Sequence, residues 1–171
     1  MDSSIKQRCK WAEGDSLMEH YHDTEWGLPA KDDNELFERL TLQIFQAGLS
    51  WKIILYRRKA FQKAFSNFNV NKVSKYGSTE VERLLTDKNI IRNKLKIQST
   101  IENAKRILKL QKEFGSFQKF LDQLPNELSI LQKELKQAFK FMGPEIARMF
   151  VMNIGKIEVP HDHDCWRYKE K

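Results

Sequence analysis

The stretch Thr41-Leu-Gln-Ile-Phe-Gln-Ala-Gly-Leu-Ser-Trp51 determines how we interpret the rest of the chain. Apolar residues recur at helical spacing just before it and through its first half, which predicts a core helix over about 35–47. Gly48 interrupts this pattern. Glycine is common where a helix ends or two backbones approach closely, so Gly48 indicates such a point. Ser50 and Trp51 then begin a second apolar run. The stretch therefore predicts two consecutive helices joined by a tight turn.

Two glutamines, Gln43 and Gln46, lie three residues apart within the apolar part of this stretch. That spacing places both on roughly one face of a helix. A buried amide without partners costs about 1–3 kcal/mol. Two interpretations follow. Either the glutamines of a core helix reach solvent or backbone groups, or they form a pocket wall that binds a polar edge beside the flat surface of Trp51.

The composition is that of a folded protein with excess positive charge. The 171 residues suit a single domain, which we place over 1–171. The hydrophobic fraction of 40% is ordinary, and no apolar run approaches the ~18–20 residues of a membrane span. The N-terminal segment lacks the apolar part of a signal peptide, so a cytoplasmic location is expected. The net charge of +7 favours nucleic acid as partner, although many basic proteins bind none.

The rest of the chain predicts an all-α fold with short connections. The N-cap of the first core helix is expected at Asp32, Asp33 or Asn34. Thr79 and Glu82 resemble a capping box. Further helices are expected to begin near residue 50 and to cover about 58–66, 73–76, 92–113, 117–122, 129–137 and 145–153.

The two ends of the chain raise the question of a metal site. Cys9 and His22 lie near one end, and His161 and Cys165 lie near the other. Two cysteines and two histidines can close a tetrahedral zinc shell, which would order an irregular tail. Alternatively, both cysteines are free thiols and the histidines are solvated. A further histidine near each pair is a competing donor.

Two turns could bind DNA phosphates through backbone N–H groups and basic side chains. In the first, Gly143 permits the turn, Pro144 suits the first helical position and Phe141 precedes both. The second is a basic turn that contains Arg92 and Lys94. Each is a weak signal by itself, because most such turns only connect helices. Several aromatic residues could stack on a base, although such residues more often belong to a core.

Six motifs, in order along nearly the whole chain, resemble those of the DNA-3-methyladenine glycosylase I family. They are Cys9-x-Trp11, Tyr21-His-Asp-x-Glu-Trp-Gly27, Phe45-Gln-Ala-Gly-Leu-Ser-Trp51, Ile90-Ile-Arg-x-Lys94, Phe139-Lys-Phe-x-Gly-Pro144 and His161-x3-Cys165. The second and third motifs are highly specific.

The resemblance implies an all-α, helix-hairpin-helix glycosylase fold whose termini are clamped by one structural Zn2+ ion. It also implies a role in DNA base-excision repair. A monofunctional enzyme of this family flips 3-methyladenine out of alkylated double-stranded DNA and hydrolyses its N-glycosidic bond, which leaves an abasic site. The implied partner is damaged DNA, and we expect a monomer with no membrane association.

The resemblance also assigns roles to individual residues. The implied zinc ligands are Cys9, His22, His161 and Cys165; the catalytic positions are Gln43 and Tyr21; the base-binding residues are Trp11, Trp26, Trp51 and Gln46; and the DNA-binding residues are Phe141, Gly143, Pro144, Arg92 and Lys94.

The chain departs from the family pattern in two places. The family has a glutamate at the position of Gln43, and an amide can still pair with an adenine edge but does not complement a cationic base. In a pocket of low dielectric constant that loss could reach a few kcal/mol. The segment between Phe120 and Phe139 is also shorter than usual for the family, which could alter how DNA is gripped.

Gln43 therefore leaves a second interpretation open. The chain could be a catalytically weak or retargeted homologue that binds DNA or a modified base without efficient excision of 3-methyladenine. A third interpretation is a zinc-stabilised helical interaction domain, which would show no salt-dependent binding to DNA.

Overall fold

A computed structural model describes residues 6–169, and within this range every element of regular structure is helical. The α-helices are α1 Ser16–Thr24, α2 Asp33–Gln46, α3 Trp51–Ala64, α4 Val70–Val73, α5 Ser78–Thr86, α6 Lys94–Phe114, α7 Phe117–Gln123, α8 Leu128–Ala138 and α9 Pro144–Asn153, with a 3-10 turn at Ser66–Phe68. The predicted all-α class is confirmed for these residues. Residues 1–5 and 170–171 of the predicted domain lie outside the described range.

Helix α2 lies at the centre of the core. Its residues from Leu36 to Phe45 are all buried, and it packs against α3, α6, α7 and α9. Asp32 caps its N-terminus, because its carboxylate accepts a hydrogen bond from the N–H of Glu35 at 2.8 Å. Just beyond its C-terminus, Gly48 adopts a φ of +83°, which favours glycine. The predicted helix and both of its end signals are confirmed.

The sequence prediction missed α1. Asp15 begins this helix by accepting hydrogen bonds from the N–H groups of Leu17 and Met18, each at 3.1 Å. Tyr21 and His22 lie on α1, where both are buried. The helix therefore carries two predicted functional residues in a region for which the sequence analysis predicts no helix.

Three local predictions were wrong. Residues 51–64 form one helix rather than two, and the short helix expected over 73–76 is instead α4. The capping carboxylate of α5 belongs to Glu80, which accepts the N–H of Gly77 at 2.7 Å. The predicted box at Thr79 and Glu82 is therefore displaced by two residues. Within the described range, no helix is both long enough and apolar enough to cross a membrane.

The turn between α8 and α9 is fixed by Asn103 of α6. The Asn103 side chain donates to the carbonyl of Lys140 at 3.1 Å and accepts the N–H of Lys140 at 2.7 Å. Gly143 has a φ of −72°, which any residue can adopt, so our expectation that glycine permits this turn was wrong. Phe141 instead adopts the left-handed φ of +57°. Pro144 begins α9, as predicted.

Candidate functional site

A cavity of about 470 Å³ opens between the C-terminal end of α2 and the N-terminal end of α9. Helix α2 and the turn after it contribute Gln43, Gln46 and Gly48, while α9 contributes Ile146 and Met149. Both predicted glutamines therefore line one concave surface. Gln46 is half-buried and donates to the carbonyl of Leu49 at 3.4 Å.

Among the described residues, three buried side-chain atoms lack a hydrogen-bond partner. They are Oε1 of Gln43, Nε1 of Trp51 and Oδ1 of Asn153. Most buried polar groups in folded proteins are paired, so three such atoms on α2, α3 and α9 indicate groups kept for a ligand or for water. Two of them accept hydrogen bonds and one donates. This set suits a neutral or cationic ligand that presents N–H groups.

Tyr21 and Trp51 form an aromatic pair outside the lining of this cavity, and Trp51 carries one of the three unpartnered atoms. Their ring centroids lie 5.2 Å apart, and the Tyr21 hydroxyl accepts a hydrogen bond from the side-chain amide of Asn153. Burial raises the pKa of Tyr21 far above its usual value. The phenol therefore stays protonated at neutral pH and can act as a hydrogen-bond donor.

Trp11 and Trp26 extend the aromatic cluster towards the chain ends. Trp11 lies 6.2 Å from Tyr21 and 4.9 Å from Trp26 between ring centroids. Trp11 is 40% exposed, whereas Trp26 is buried and lies 5.2 Å from His161. Trp11 is therefore accessible to a ligand, and the buried Trp26 packs against Trp11.

Lys96 connects the pocket helix to the predicted DNA-binding turn, a role that the sequence analysis does not predict. Its buried ammonium group donates to the carbonyls of Phe45 and Ala47 at 3.1 and 2.9 Å. The same nitrogen lies 5.9 Å from the ring centroid of Phe141. Burial lowers the pKa of Lys96 from its ordinary value. The basic turn before α6 and the turn before α9 are thus neighbours.

The predicted DNA-contact residues Arg92 and Lys94 lie in the basic turn, at the surface of the protein. Arg92 and Lys94 are exposed, and Leu95 beside them is 66% exposed. Glu145, in the first turn of α9, is ionised because hydrogen bonds from Arg148 lower its pKa. A carboxylate there opposes a phosphate at this helix N-terminus, so the basic turn before α6 is the better phosphate contact.

Two cysteines and two histidines from opposite ends of the chain converge beside the aromatic cluster. The side chains of Cys9, His22, His161 and Cys165 each offer one ligand atom, and these atoms lie within 4.8 Å of one another. The contacts Cys9 Sγ–His161 Nδ1 and Cys165 Sγ–His22 Nε2 measure 3.4 Å each. Typical Zn–S and Zn–N bonds place tetrahedral ligand atoms about 3.3–3.8 Å apart, so the spacing fits zinc.

Neighbouring groups orient this cluster. His22 Nδ1 lies 2.9 Å from the carboxylate of Asp23, which leaves Nε2 to face Cys165. Partial burial would raise the pKa of Asp23, but hydrogen bonds led by Arg8 outweigh it and hold that pKa at about 2. The backbone N–H of Asp162 donates to Cys9 Sγ at 3.3 Å.

His161 of this cluster can bind a metal in its present protonation state, whereas the Cys9 thiol must first lose its proton. Burial lowers the pKa of His161 to about 4, so its imidazole is neutral at pH 7. Burial also raises the pKa of Cys9 to about 11, so a metal must displace the thiol proton. The competing donors His20 and His163 are both exposed and lie outside the cluster.

Comparison with known proteins assigns the chain to a family. Residues 11–133 match the family model for methyladenine glycosylase. The chain is 35% identical to DNA-3-methyladenine glycosylase 1 of Escherichia coli (strain K12), an alignment that covers 92% of this chain and 93% of that protein. The chain belongs to the methyladenine glycosylase family. This finding confirms the resemblance seen in the six motifs.

Solved structures place the fold in the same glycosylase family. A crystal structure of 3-methyladenine DNA glycosylase I has a TM-score of 0.85 and 33% identity, with 95% of this chain and all of that chain covered. A structure of the Staphylococcus aureus enzyme, determined for its recognition of 3-methyladenine, has a TM-score of 0.84 and 31% identity over 96% of this chain and 98% of that one.

The sequence missed Asn153 as a residue of the candidate site. An isolated asparagine near a helix C-terminus carries no local signal, and only the packing of α9 against α1 and α2 reveals its buried amide. The structure brings Tyr21 into contact with both Asn153 and Trp51, whereas Gln43 lines the cavity from α2.

Proposed function

We propose that this protein is a monofunctional DNA glycosylase that hydrolyses the N-glycosidic bond of 3-methyladenine in alkylated double-stranded DNA. Three buried polar atoms without partners among the described residues carry this proposal. One belongs to the Tyr21–Trp51 aromatic pair and another to Asn153, which bonds to Tyr21, in a chain of the methyladenine glycosylase family. Such a site suits a base that has left the duplex and brings its own donors and acceptors.

The pocket reads the adenine edge through neutral groups. Gln43 Oε1 accepts a hydrogen bond from the exocyclic amine, and the amide N–H of the same residue donates to N7. Tyr21 and Trp51 offer electron-rich surfaces to the cationic ring, a contact worth about 0.5–2 kcal/mol. Orientation and stacking therefore select the base without a buried negative charge at position 43.

The chemistry requires little acid catalysis. Methylation at N3 makes the base cationic, so the N9–C1′ bond is already weak and its electron pair neutralises the base as it leaves. Water adds to C1′ and releases its proton to solvent, which yields free base and an abasic sugar. The residues of the pocket hold the base out of the stack and stabilise it by contacts.

The surface around Phe141 and the basic turn would contact the DNA backbone. Arg92 and Lys94 would neutralise phosphates. The Phe141 ring and the Gly143–Pro144 backbone after it lie close to this turn, because Lys96 of α6 contacts the Phe141 ring. Binding should then weaken steeply as the salt concentration rises.

We further propose that the Cys9, His22, His161 and Cys165 cluster holds one structural zinc ion. Four Cys and His ligands close the tetrahedron and leave no position for substrate. The ion would fasten the tail to α1, a connection that Arg167 supports by donating to the carbonyls of His22 and Trp26 at 2.6 and 2.7 Å.

The proposal is tested by incubating the purified protein with methylated duplex DNA. Chromatography of the supernatant should show free 3-methyladenine, and the DNA should acquire alkali-labile abasic sites in equal number, with no strand cleavage before alkali. Heat-denatured protein is the control. Release of neither base nor abasic sites would overturn the proposal, and release of a different alkylated base alone would identify a retargeted homologue.

A further inference from the structure

Asn153 lies on the same face of α9 as two residues that line the candidate pocket. It is the last residue of α9 and is only 1% exposed. Ile146 and Met149, which line the cavity, precede it by seven and four residues, so all three share one face of the helix. The face of α9 that lines the cavity therefore extends to the buried Asn153.

The position of Asn153 is fixed by neighbouring backbone and side-chain groups. Its carbonyl oxygen accepts hydrogen bonds from the N–H of Gly27 at 2.9 Å and from the guanidinium of Arg39 at 3.3 Å. Its side-chain Nδ2 donates to the hydroxyl of Tyr21. The backbone of Asn153 is thus held by Gly27 and by Arg39 of α2, and its side-chain amide is held by Tyr21 of α1.

This arrangement leaves two complementary groups for a ligand. Because Nδ2 donates to the Tyr21 oxygen, the phenolic O–H of Tyr21 is available to donate elsewhere. Oδ1 of Asn153, by contrast, has no partner among the described residues. If the amide were turned over, Tyr21 would donate to Oδ1 and the amide N–H groups would lack a partner instead. Only the observed orientation leaves a free acceptor, which is the group that a ligand N–H requires.

We propose that Asn153 is a specificity residue that accepts a hydrogen bond from the exocyclic amine of the bound methylated adenine. This inference rests on the proposed function and names the group that sets its substrate class. The amine has two N–H bonds, so Gln43 and Asn153 each take one. A 6-oxo purine presents a carbonyl oxygen at this position, which would face two acceptors and be rejected.

The experiment measures binding of two free bases by quenching of tryptophan fluorescence. The bases are 3-methyladenine and 3-methylhypoxanthine, which differ in having an amine or a carbonyl at C6. Wild type should prefer 3-methyladenine by about 50-fold or more. Asn153→Ala should lose about tenfold in affinity for 3-methyladenine but little for 3-methylhypoxanthine, because only the amine loses an acceptor. Asn126→Ala, at an exposed turn, is the matched control and should keep the wild-type preference.

A second variant guards against misfolding of the first. Asn153→Asp keeps an acceptor oxygen at the same reach and should preserve most of the preference for the amine. Equal binding of both bases by wild type, or equal loss of both bases in Asn153→Ala, would overturn the inference while leaving the glycosylase proposal standing. Failure of wild type to bind either base, together with no base release from DNA, would overturn both.

Discussion

Among single residues, Gln43 is the one at which the family resemblance predicts a glutamate instead. Its side chain is 3% exposed, and its Oε1 has no partner within the described part of the chain. A neutral amide avoids the large penalty of burying a carboxylate, but it gives up attraction to a cationic base. If Gln43 contacts the base as proposed, the balance between these two effects sets how strongly the pocket holds the cationic base before its bond to C1′ breaks.

Gln43→Glu should raise the single-turnover rate of 3-methyladenine excision by about tenfold, which corresponds to 1.4 kcal/mol of barrier. The gain comes from a larger population of the flipped-out state, because a carboxylate attracts the cationic base before its bond to C1′ breaks. Gln46→Glu is the matched control, because Gln46 lines the same cavity from a half-buried position. An unchanged or lower rate in a well-folded Gln43→Glu protein would contradict the placing of Gln43 against the base.

Sequence reasoning located Gln43 but not Asn153, and the physical reason is local. Gln43 lies in an apolar helical run, where a polar residue is conspicuous. Asn153 follows Met152 at the end of a helix, where asparagine is ordinary, and its significance comes from contact with Tyr21 far away in the chain. Long-range contacts of this kind leave no periodic signal.

At the scale of elements, the N-terminus of α1 is held by Asp15. Its carboxylate caps the helix and pairs with Lys52 at 2.8 Å and with the hydroxyl of Tyr56 at 2.8 Å, both on α3. The interactions with Lys52, Tyr56 and the helix backbone hold the pKa of Asp15 at about 2. The cap therefore ties the helix that carries Tyr21 to the helix that begins at Trp51.

Acid should weaken this connection in a defined pH range. The pKa of Asp15 is lower in the folded protein than the ~3.9 expected when unfolded, so its stabilisation is present above about pH 4 and is lost as pH falls towards 2. Asp15→Asn keeps a cap but lacks the charge. Its Tm should be a few degrees below that of wild type at pH 6, and the difference should shrink between pH 4 and pH 2.

Circular dichroism melts across this pH range measure the effect. Asp122→Asn, which removes one exposed carboxylate from α7, is the control for net charge. A Tm difference between wild type and Asp15→Asn that stays constant from pH 6 to pH 2 would contradict the assigned ion pair.

The basic turn before α6 makes a prediction about DNA affinity. Replacing both Arg92 and Lys94 by glutamine should reduce the slope of log K against log salt concentration by about 1.8, since each phosphate contact contributes about 0.9. Lys105 and Lys109 are exposed on later turns of α6, and the same change there should alter the slope less. Equal slopes for the two double variants would show that DNA lies elsewhere.

Most helices could be predicted from the sequence because their apolar faces repeat clearly. Helices α6 to α9 lie within about two residues of their predicted limits. Helix α1 was missed because its functional aromatic and histidine residues obscure an amphipathic pattern. Helix α3 was divided in the prediction, but the helix continues through the basic segment Tyr56–Lys59. Arg58 in that segment turns inward and pairs with Glu25 and Glu38 at 2.5 and 2.7 Å.

At the scale of the whole molecule, the two chain ends meet at the Cys and His cluster. His161 of this cluster contacts Trp26, which in turn contacts Trp11. The proposed zinc ion would therefore hold the wall of the base pocket in place as well as the tail.

Cys165→Ser should lose the bound zinc and several kcal/mol of unfolding free energy, because metal binding is coupled to folding. Elemental analysis and urea denaturation measure the two effects. His163→Ser is the control, since His163 is near in sequence but lies outside the cluster and is exposed. Purified wild type that contains no metal would contradict the zinc assignment.

We propose that the buried amide of Gln43 holds the excised base. The most direct measurement is the single-turnover rate of 3-methyladenine release from methylated duplex DNA by wild type and by Gln43→Leu. Leucine keeps the volume but removes both hydrogen bonds, so the rate should fall by about 10- to 100-fold with the fold and DNA affinity unchanged. Equal rates for the two proteins would contradict the claim.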